Sequence, residues 1–473
     1  MAKTRPLPQR QDWLIKRMKR LGYHANISGV CYGLAHMGMQ AILARDIKTF
    51  NTRLQQIYDI INVQESLRQL HKRQEALREQ GVSDFADRLD LTCLFRNTPA
   101  ARQKKPSRRV LKPVIPQQWI DIFAFFDGVE LYQNTEYYPQ LFSKKSAPYV
   151  QSAEKTLQLV TPVTLAEQGG VAAANKFSGI YTIAELHIFF SLLKSSLSSF
   201  EHPAAFVFSN SNHAITVGFD PEQDLWIFID ANQPPAIYLN EDEIGKRVKS
   251  AFACSKYTAL SMQAYGLQQD QAELTACLLQ LSSNQTWQMI HTPTAEKTKR
   301  TDDEKATWLY IAADNGLTNT VYELLRLGAD PDQACSDGFT PIYIAAQNGH
   351  AAVVEALLRN NADPSILFDK TYSPLYIAAH YNYIDVVRVL LSNGARPDPG
   401  GKSPLEIATK MGHTEIVRLL VNATNHKSKV LTQPSTFFGS YDLRSCTGQE
   451  NSPPRKRKQE DEDTRPVKRQ HTH

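Results

Sequence analysis

Thr340-Pro341-Ile342-Tyr343-Ile344-Ala345-Ala346, followed by Gly349-His350 and then Val353-Val354-Glu355-Ala356-Leu357-Leu358, is the stretch on which the reading of this chain turns. Its tetrad Tyr343-Ile344-Ala345-Ala346 recurs as Tyr310-Ile311-Ala312-Ala313, as Tyr376-Ile377-Ala378-Ala379 and, more weakly, as Glu406-Ile407-Ala408-Thr409. The steps between copies are 33, 33 and 30 residues, and a leucine stands 13 residues after each isoleucine, at Leu324, Leu357, Leu390 and Leu420. A period of this length belongs to stacked helix pairs that bury their apolar faces only against their neighbours. Pro341 falls in the first turn of a helix, where its missing N–H costs nothing. Gly349-His350 and Gly412-His413 mark the turn inside a pair, and Tyr381 and Tyr383 stand where another such turn is expected. Ala329-Asp330-Pro331 and Ala362-Asp363-Pro364 open the hairpins between pairs.

These residues resemble the ankyrin repeat, whose signature is T-P-L-H-x-A with G-H and G-A-D-P. The resemblance implies four repeats over residues 304–423 and a surface that holds another protein. Trp308 stands where the first repeat would have its proline, so that unit is expected to pack on a preceding domain. The hairpin run Ile366-Leu367-Phe368 with Tyr372, and the pair Tyr381 and Tyr383, are the candidates for partner binding, because clustered apolar and aromatic side chains make hot spots. Packing of the same residues against the N-terminal domain or into the core is the competing reading.

At 473 residues the chain is too long for one core, and two or three domains are expected. No apolar run reaches the length of a membrane span. Residues 1–20 are basic without an apolar run and cleavage site, so no secretory signal is expected. The six cysteines, at 31, 93, 254, 277, 335 and 446, form no C-x-x-C pair. A reducing compartment is expected, and no metal or cofactor. The net charge is only +5. The basic stretch from Gln103 to Arg109 lacks the interleaved aromatics that stack bases, so direct nucleic-acid binding is not expected.

Ahead of the repeats, helical periodicity covers residues 12–21, 31–45, 118–131 and 183–197, with a projecting helical insertion over about 46–80. The period then becomes extended at 205–208, 213–219 and 225–230, three strands with a turn at 220–224. Helix is expected again over 242–264 and 269–281. Residues 282–303 read as a polar linker, which gives an N-terminal domain of 1–281.

Cys31 follows Ser28-Gly29-Val30 and opens a helix, where the dipole favours an anionic sulfur. Gly29 and Gly33 are expected to leave the sulfur open. His213 begins a hairpin strand after Ser209-Asn210-Ser211-Asn212, and Asp230 ends the returning strand. Counting inward from Phe219 opposite Leu225 sets His213 opposite position 231, next to Asp230. A carboxylate there would orient an imidazole able to take a thiol proton. Cys31, His213 and Asp230 are therefore the candidate catalytic residues. His24 is the competing histidine. His36 is too constrained on the Cys31 helix, and His187 is expected to be packed.

Gly29-Val30-Cys31-Tyr32-Gly33-Leu34, His213-Ala214-Ile215-Thr216-Val217 and Asp230-Ala231-Asn232 together resemble papain-clan cysteine proteases, most closely the bacterial effector type typified by the Yersinia protease YopT. That resemblance implies an α+β papain-like domain before the all-α ankyrin solenoid, and Asn26 as the candidate oxyanion amide beside the Cys31 N–H. Peptide hydrolysis, isopeptide cleavage, deamidation and acyl transfer all use such geometry.

Residues 424–473 are polar, charged and without periodicity, as in a disordered tail. Arg455-Lys456-Arg457-Lys458 and Lys468-Arg469 are cations of the kind a nuclear import receptor reads. Glu460-Asp461-Glu462-Asp463 lies between them. The whole arrangement resembles Legionella type IV secretion effectors of the ankyrin H type. The resemblance implies a protein secreted into a host cell, acting in the nucleus and cytoplasm on a host protein held by the repeats. A non-catalytic binder of a host transcription complex is the alternative.

Overall fold

The computed structural model describes residues 6–20, 23, 30–59, 117–133, 156–157, 160–397 and 400–431. The N-terminal region begins with helices α1 (Asp12–Arg20), α2 (Cys31–Leu43), α3 (Ile47–Asp59), α4 (Gln117–Gln133) and α5 (Val163–Glu167). Strand β1 (Val171–Tyr181) and helix α6 (Ile183–Leu197) follow. Next come β2 (Ala204–Ser209), β3 (Ala214–Asp220), β4 (Leu225–Asp230), β5 (Ile237–Leu239), α7 (Glu241–Ala251), β6 (Thr258–Leu267), α8 (Gln271–Ser282) and α9 (Gln285–His291). The strands form one antiparallel six-stranded sheet of order β1-β6-β2-β3-β4-β5.

Apolar side chains alternate across the strands and feed two cores. Val207, Ile227, Ile229 and Tyr265 meet α1 to α4 on one face. Phe206, Phe208, Val217, Trp226 and Phe228 meet α6 to α9 on the other. Three strands were expected, and the sheet has six. Residues 258–264, expected as helix, belong to β6. Their Ala, Leu, Met and Gln favour helix in isolation. The left-handed Ala253 (φ 52°) follows the end of α7, and pairing with β1 and β2 then outweighs local preference. Because β6 is buried on both faces, it lacks the alternation that marks a strand.

The expected linker 282–303 is folded onto the domain. Trp287 of α9 is buried, with its ring 3.8 Å from that of His291 and 5.2 Å from that of Phe189. Buried Lys297 donates to the carbonyls of Met289 and Ile290, both at 2.8 Å, and so closes the C-terminus of α9. Of the expected insertion 46–80, residues 47–59 are α3. The rest lies outside the described residues, as does the tail beyond 431.

Four helix pairs follow: α10 (Trp308–Asp314) with α11 (Thr318–Arg326), α12 (Pro341–Gln347) with α13 (Ala351–Arg359), α14 (Pro374–His380) with α15 (Ile384–Ser392), and α16 (Pro404–Lys410) with α17 (Thr414–Leu431). Thr307, Thr340, Ser373 and Ser403 cap the inner helices through the N–H three residues on, at 3.0, 3.4, 2.9 and 3.3 Å. The turn inside each pair needs a left-handed residue. Gly316, Gly349 and Gly412 supply it, and Asn382 (φ 61°) supplies it in the third pair. Tyr383 therefore occupies the histidine slot, not the glycine slot. His350 and His413 in that slot bond the carbonyls of Asp314 and His380, at 3.0 and 3.1 Å. Tyr383 is 7 % exposed, so it is core and offers no surface to a partner.

The array is seated on the sheet. Trp308 is buried and its indole N–H donates to Ser178 Oγ at 3.0 Å, while Ile180 and Ala259 belong to the same core as the first repeat. Arg300 pairs with Glu185 at 2.9 Å beneath the junction.

Two glycines separate backbone strain from packing. Gly328 (φ 87°) has open space where a Cβ would go, whereas a Cβ on Gly349 (φ 77°) would lie 2.8 Å from the Tyr383 ring. Gly328→Ala is expected to cost about 1 kcal/mol, and Gly349→Ala at least twice that, in urea unfolding. Equal losses would show that the Tyr383 contact is not rigid.

Candidate active site

Helix α2 carries Cys31 at its first position, with 7 % of the residue exposed. The chain supplies no side-chain cap there, since the N-cap residue is Val30. Two glutamines from elsewhere stand in. Gln11 Oε1 accepts the Val30 N–H at 2.7 Å, and Gln133 Oε1 accepts the Gly33 N–H at 3.2 Å. The Cys31 and Tyr32 N–H groups have no acceptor among the described residues, so none of these competes with the sulfur for the positive end of α2. Thr216 of β3 bonds the Ala35 carbonyl and fixes α2 across the sheet. Gly33 serves this packing and not access to the sulfur: a Cβ there would collide with the Val129 carbonyl of α4.

The Asn210 side chain accepts the N–H groups of Asn212 and His213, at 2.9 and 2.8 Å, and turns the chain into β3. Strands β3 and β4 pair Ile215 with Asp230 and Phe219 with Trp226. This is one residue out from the expected register. Extended outward, it sets His213 level with Asn232, so that ring and carboxylate share a face. The expected register would have put them on opposite faces.

His213 Nε2 and Asp230 Oδ1 are 2.8 Å apart, and their side chains are 9 % and 0 % exposed. Asp230 Oδ1 also accepts the Asn232 N–H at 2.8 Å. The ring packs edge-on against Phe252, centroid to centroid 6.0 Å. Burial alone would depress the His213 pKa. The Asp230 hydrogen bond, then a hydrogen bond with the Cys31 thiol, outweigh it and push the value up to about 9. With Nε2 committed to Asp230, Nδ1 is the ring atom left for the sulfur. The structure thus brings Cys31, His213 and Asp230 together from two layers of the fold.

The other candidates fall differently. Asn26 and His24 lie outside the described residues, as do Arg455, Lys456, Arg457, Lys458, Lys468 and Arg469. His36 is buried between Tyr32 and Tyr132, and burial lowers its pKa to about 4, which keeps it neutral. Ile366, Leu367, Phe368, Tyr372 and Tyr381 are half-buried. Phe368 stacks on Phe339 at 4.1 Å, and Phe368 and Tyr372 form a β-bridge across the hairpin. Gln11 and Gln133 were not anticipated. Nothing in their local sequence marks them, because their role comes from segments that meet only in the fold.

The family described as "Ankyrin repeats (3 copies)" matches residues 268–368 and 363–430. The C-terminal region is made of ankyrin repeats. The first match begins at 268, ahead of the first helix pair. Ankyrin repeats imply protein partners, and among the described residues no helix is long and apolar enough to cross a membrane. No curated protein matches the chain.

The His213 pKa gives a pH prediction. It is raised from 6.5 to about 9, so its stabilising contribution is complete below about 6.5 and is lost as pH rises through about 9. An NMR titration of the His213 ring is expected to show it protonated at pH 7. Asp230→Asn should bring the midpoint down. A wild-type midpoint at or below 6.5 would contradict the pairing.

Proposed function

We propose that the chain is a cysteine hydrolase of papain-like, YopT-type character, which holds a protein through its ankyrin repeats and acts on it through Cys31, His213 and Asp230. The observation that carries this reading is the buried His213–Asp230 pair beside a thiol at a helix N-terminus. His213 takes the thiol proton, and the sulfur attacks the carbonyl carbon of a peptide or isopeptide bond. The Cys31 N–H stabilises the resulting oxyanion. The imidazolium then protonates the leaving amine, and a water deprotonated by His213 releases the acyl group. Asp230 holds the ring. A His213 pKa of about 9 supports an imidazolium beside the Cys31 sulfur at neutral pH.

The workplace we propose is a host cell nucleus and cytoplasm, reached by a secreted bacterial effector. The basic clusters Arg455–Lys458 and Lys468–Arg469, suited to an import receptor, support this, as does the acidic block Glu460–Asp463.

Iodoacetamide labelling tests the chemistry. Burial raises the Cys277 thiol pKa and pushes that of Cys254 up to about 11, so both make slow comparators. Cys31 is expected to react at least tenfold faster than either, and His213→Ala should remove most of the difference. A Cys31 rate equal to that of Cys277 in the wild type would sink the proposal.

A second reading, a non-catalytic binder that perturbs a host transcription complex, is favoured by the aromatic hairpin. There Lys402 lies 4.7 Å from the Tyr372 ring centre and Phe368 stacks on Phe339. It expects Cys31→Ala to keep full biological effect. Leu367→Ala with Phe368→Ala should weaken partner capture at least tenfold, with the thermal midpoint followed as a folding control. Loss of effect in Cys31→Ala with capture intact would favour the hydrolase.

A further inference from the structure

We propose that Gln11 is a positioning residue that ties the helix carrying Cys31 to the turn carrying Asp230. The inference deepens the hydrolase reading and rests on it. The thiol and the imidazole come from segments far apart in sequence and on different layers of the fold. Reactive geometry tolerates only small errors, so something must hold the two layers in register.

The segment before α1 makes the connection. Gln11 Oε1 accepts the N–H of the N-cap residue Val30 at 2.7 Å, the bond that the N3 side chain supplies in a capping box. The Gln11 backbone N–H reaches Asn232 Oδ1 at 3.4 Å, and the Arg10 N–H donates to the Asn232 carbonyl at 2.7 Å. The Asn232 N–H in turn donates to Asp230 Oδ1, which pairs with His213, both at 2.8 Å. The hydrogen bonds therefore run from the first turn of α2, through Gln11 and Asn232, to the imidazole. Arg10 holds a left-handed φ of 71°, a costly conformation for a residue with a Cβ, where the chain meets Asn232. Leu14, Ile15 and Met18 bury α1 behind it, so the strap is anchored. A surface cavity of about 430 Å³, lined by Arg10, Gln11, Asn232 and Gln233, opens beside this crossing.

The experiment uses the full chain with Gln11→Leu, which removes the acceptor, and Gln11→Glu, which keeps it. Two readouts are followed: amide exchange of Val30, and the rate and pH profile of Cys31 alkylation by iodoacetamide. In Gln11→Leu, Val30 exchange should rise about fivefold, the worth of one helix-end hydrogen bond. Cys31 alkylation at neutral pH should fall about tenfold, with its pH profile changed from that of the wild type. Gln11→Glu should stay near wild type in both. Unchanged Val30 exchange in Gln11→Leu overturns the proposal. So does faster exchange with an unchanged Cys31 rate and profile. If Gln11→Leu does not fold, Gln11→Asn, shorter by one methylene, is read in the same way. A wild-type Cys31 no faster than Cys277 overturns the hydrolase reading and the positioning of a nucleophile with it. A fast wild-type Cys31 that ignores Gln11 overturns the strap alone.

Discussion

The burial of the Asp230 carboxylate constrains the N-terminal region more than any other single feature. Its side chain is fully shielded, and an unpaired carboxylate in such a place costs several kcal/mol. Two partners at Oδ1 offset part of that cost, the His213 ring and the Asn232 N–H. Both must be delivered by backbone, so the β3–β4 register and the Asn210 turn are tightly specified. A one-residue slip would carry the carboxylate to the far face and strand it. The same pairing opposes the desolvation of His213 and keeps the ring protonated at neutral pH.

The sulfur reaches that pair because α2 sits unusually close to its neighbours. At Gly38 and Gly218 a Cβ would press into Ile229 and Ile42, and at Gly33 into the α4 backbone. Three glycines thus set the depth of α2 between the sheet and α4, and with it the position of Cys31. An α-helix pays conformational entropy for each interior glycine, which makes sense only where close approach is needed. The loose cap at Val30 is the counterpart: α2 is packed along its length and held at its N-terminal end by side chains from other segments.

How much of this was legible follows from where each signal resides. The repeats announced themselves because their period, caps and turns are all local. The placement of Cys31 and Asp230 at the first and last positions of α2 and β4, and of His213 just before β3, was legible because the patterns of those elements are clear. Strand β6 was not, since a strand buried on both faces has no alternation and its residues suit a helix equally well. Helix α9 was hidden in a polar stretch where the buried Trp287 and Ile290 anchor it. The register was off by one because Asp220 pairs with Leu225, which leaves only 221–224 in the turn. Gln11 carries no local mark at all, since its meaning lies in contacts with residues about twenty and more than two hundred positions away.

The junction between sheet and repeats bears on how a held protein would meet Cys31. Had 282–303 been a free linker, the array would supply only a raised local concentration. Instead Trp308, Ile180 and Ala259 share one core, and Ser178 bonds the indole. Arg300 adds a second tie through Glu185, the residue that also closes the capping box of α6. A partner gripped by the first repeats would therefore be held in fixed orientation to the sheet, which reduces the entropic cost of bringing a bond to the sulfur. The price is selectivity by geometry: only a bond at the right distance from the gripped surface can reach the thiol. Under the proposed function, the rigid junction acts as a ruler for the substrate as well as a support for the fold.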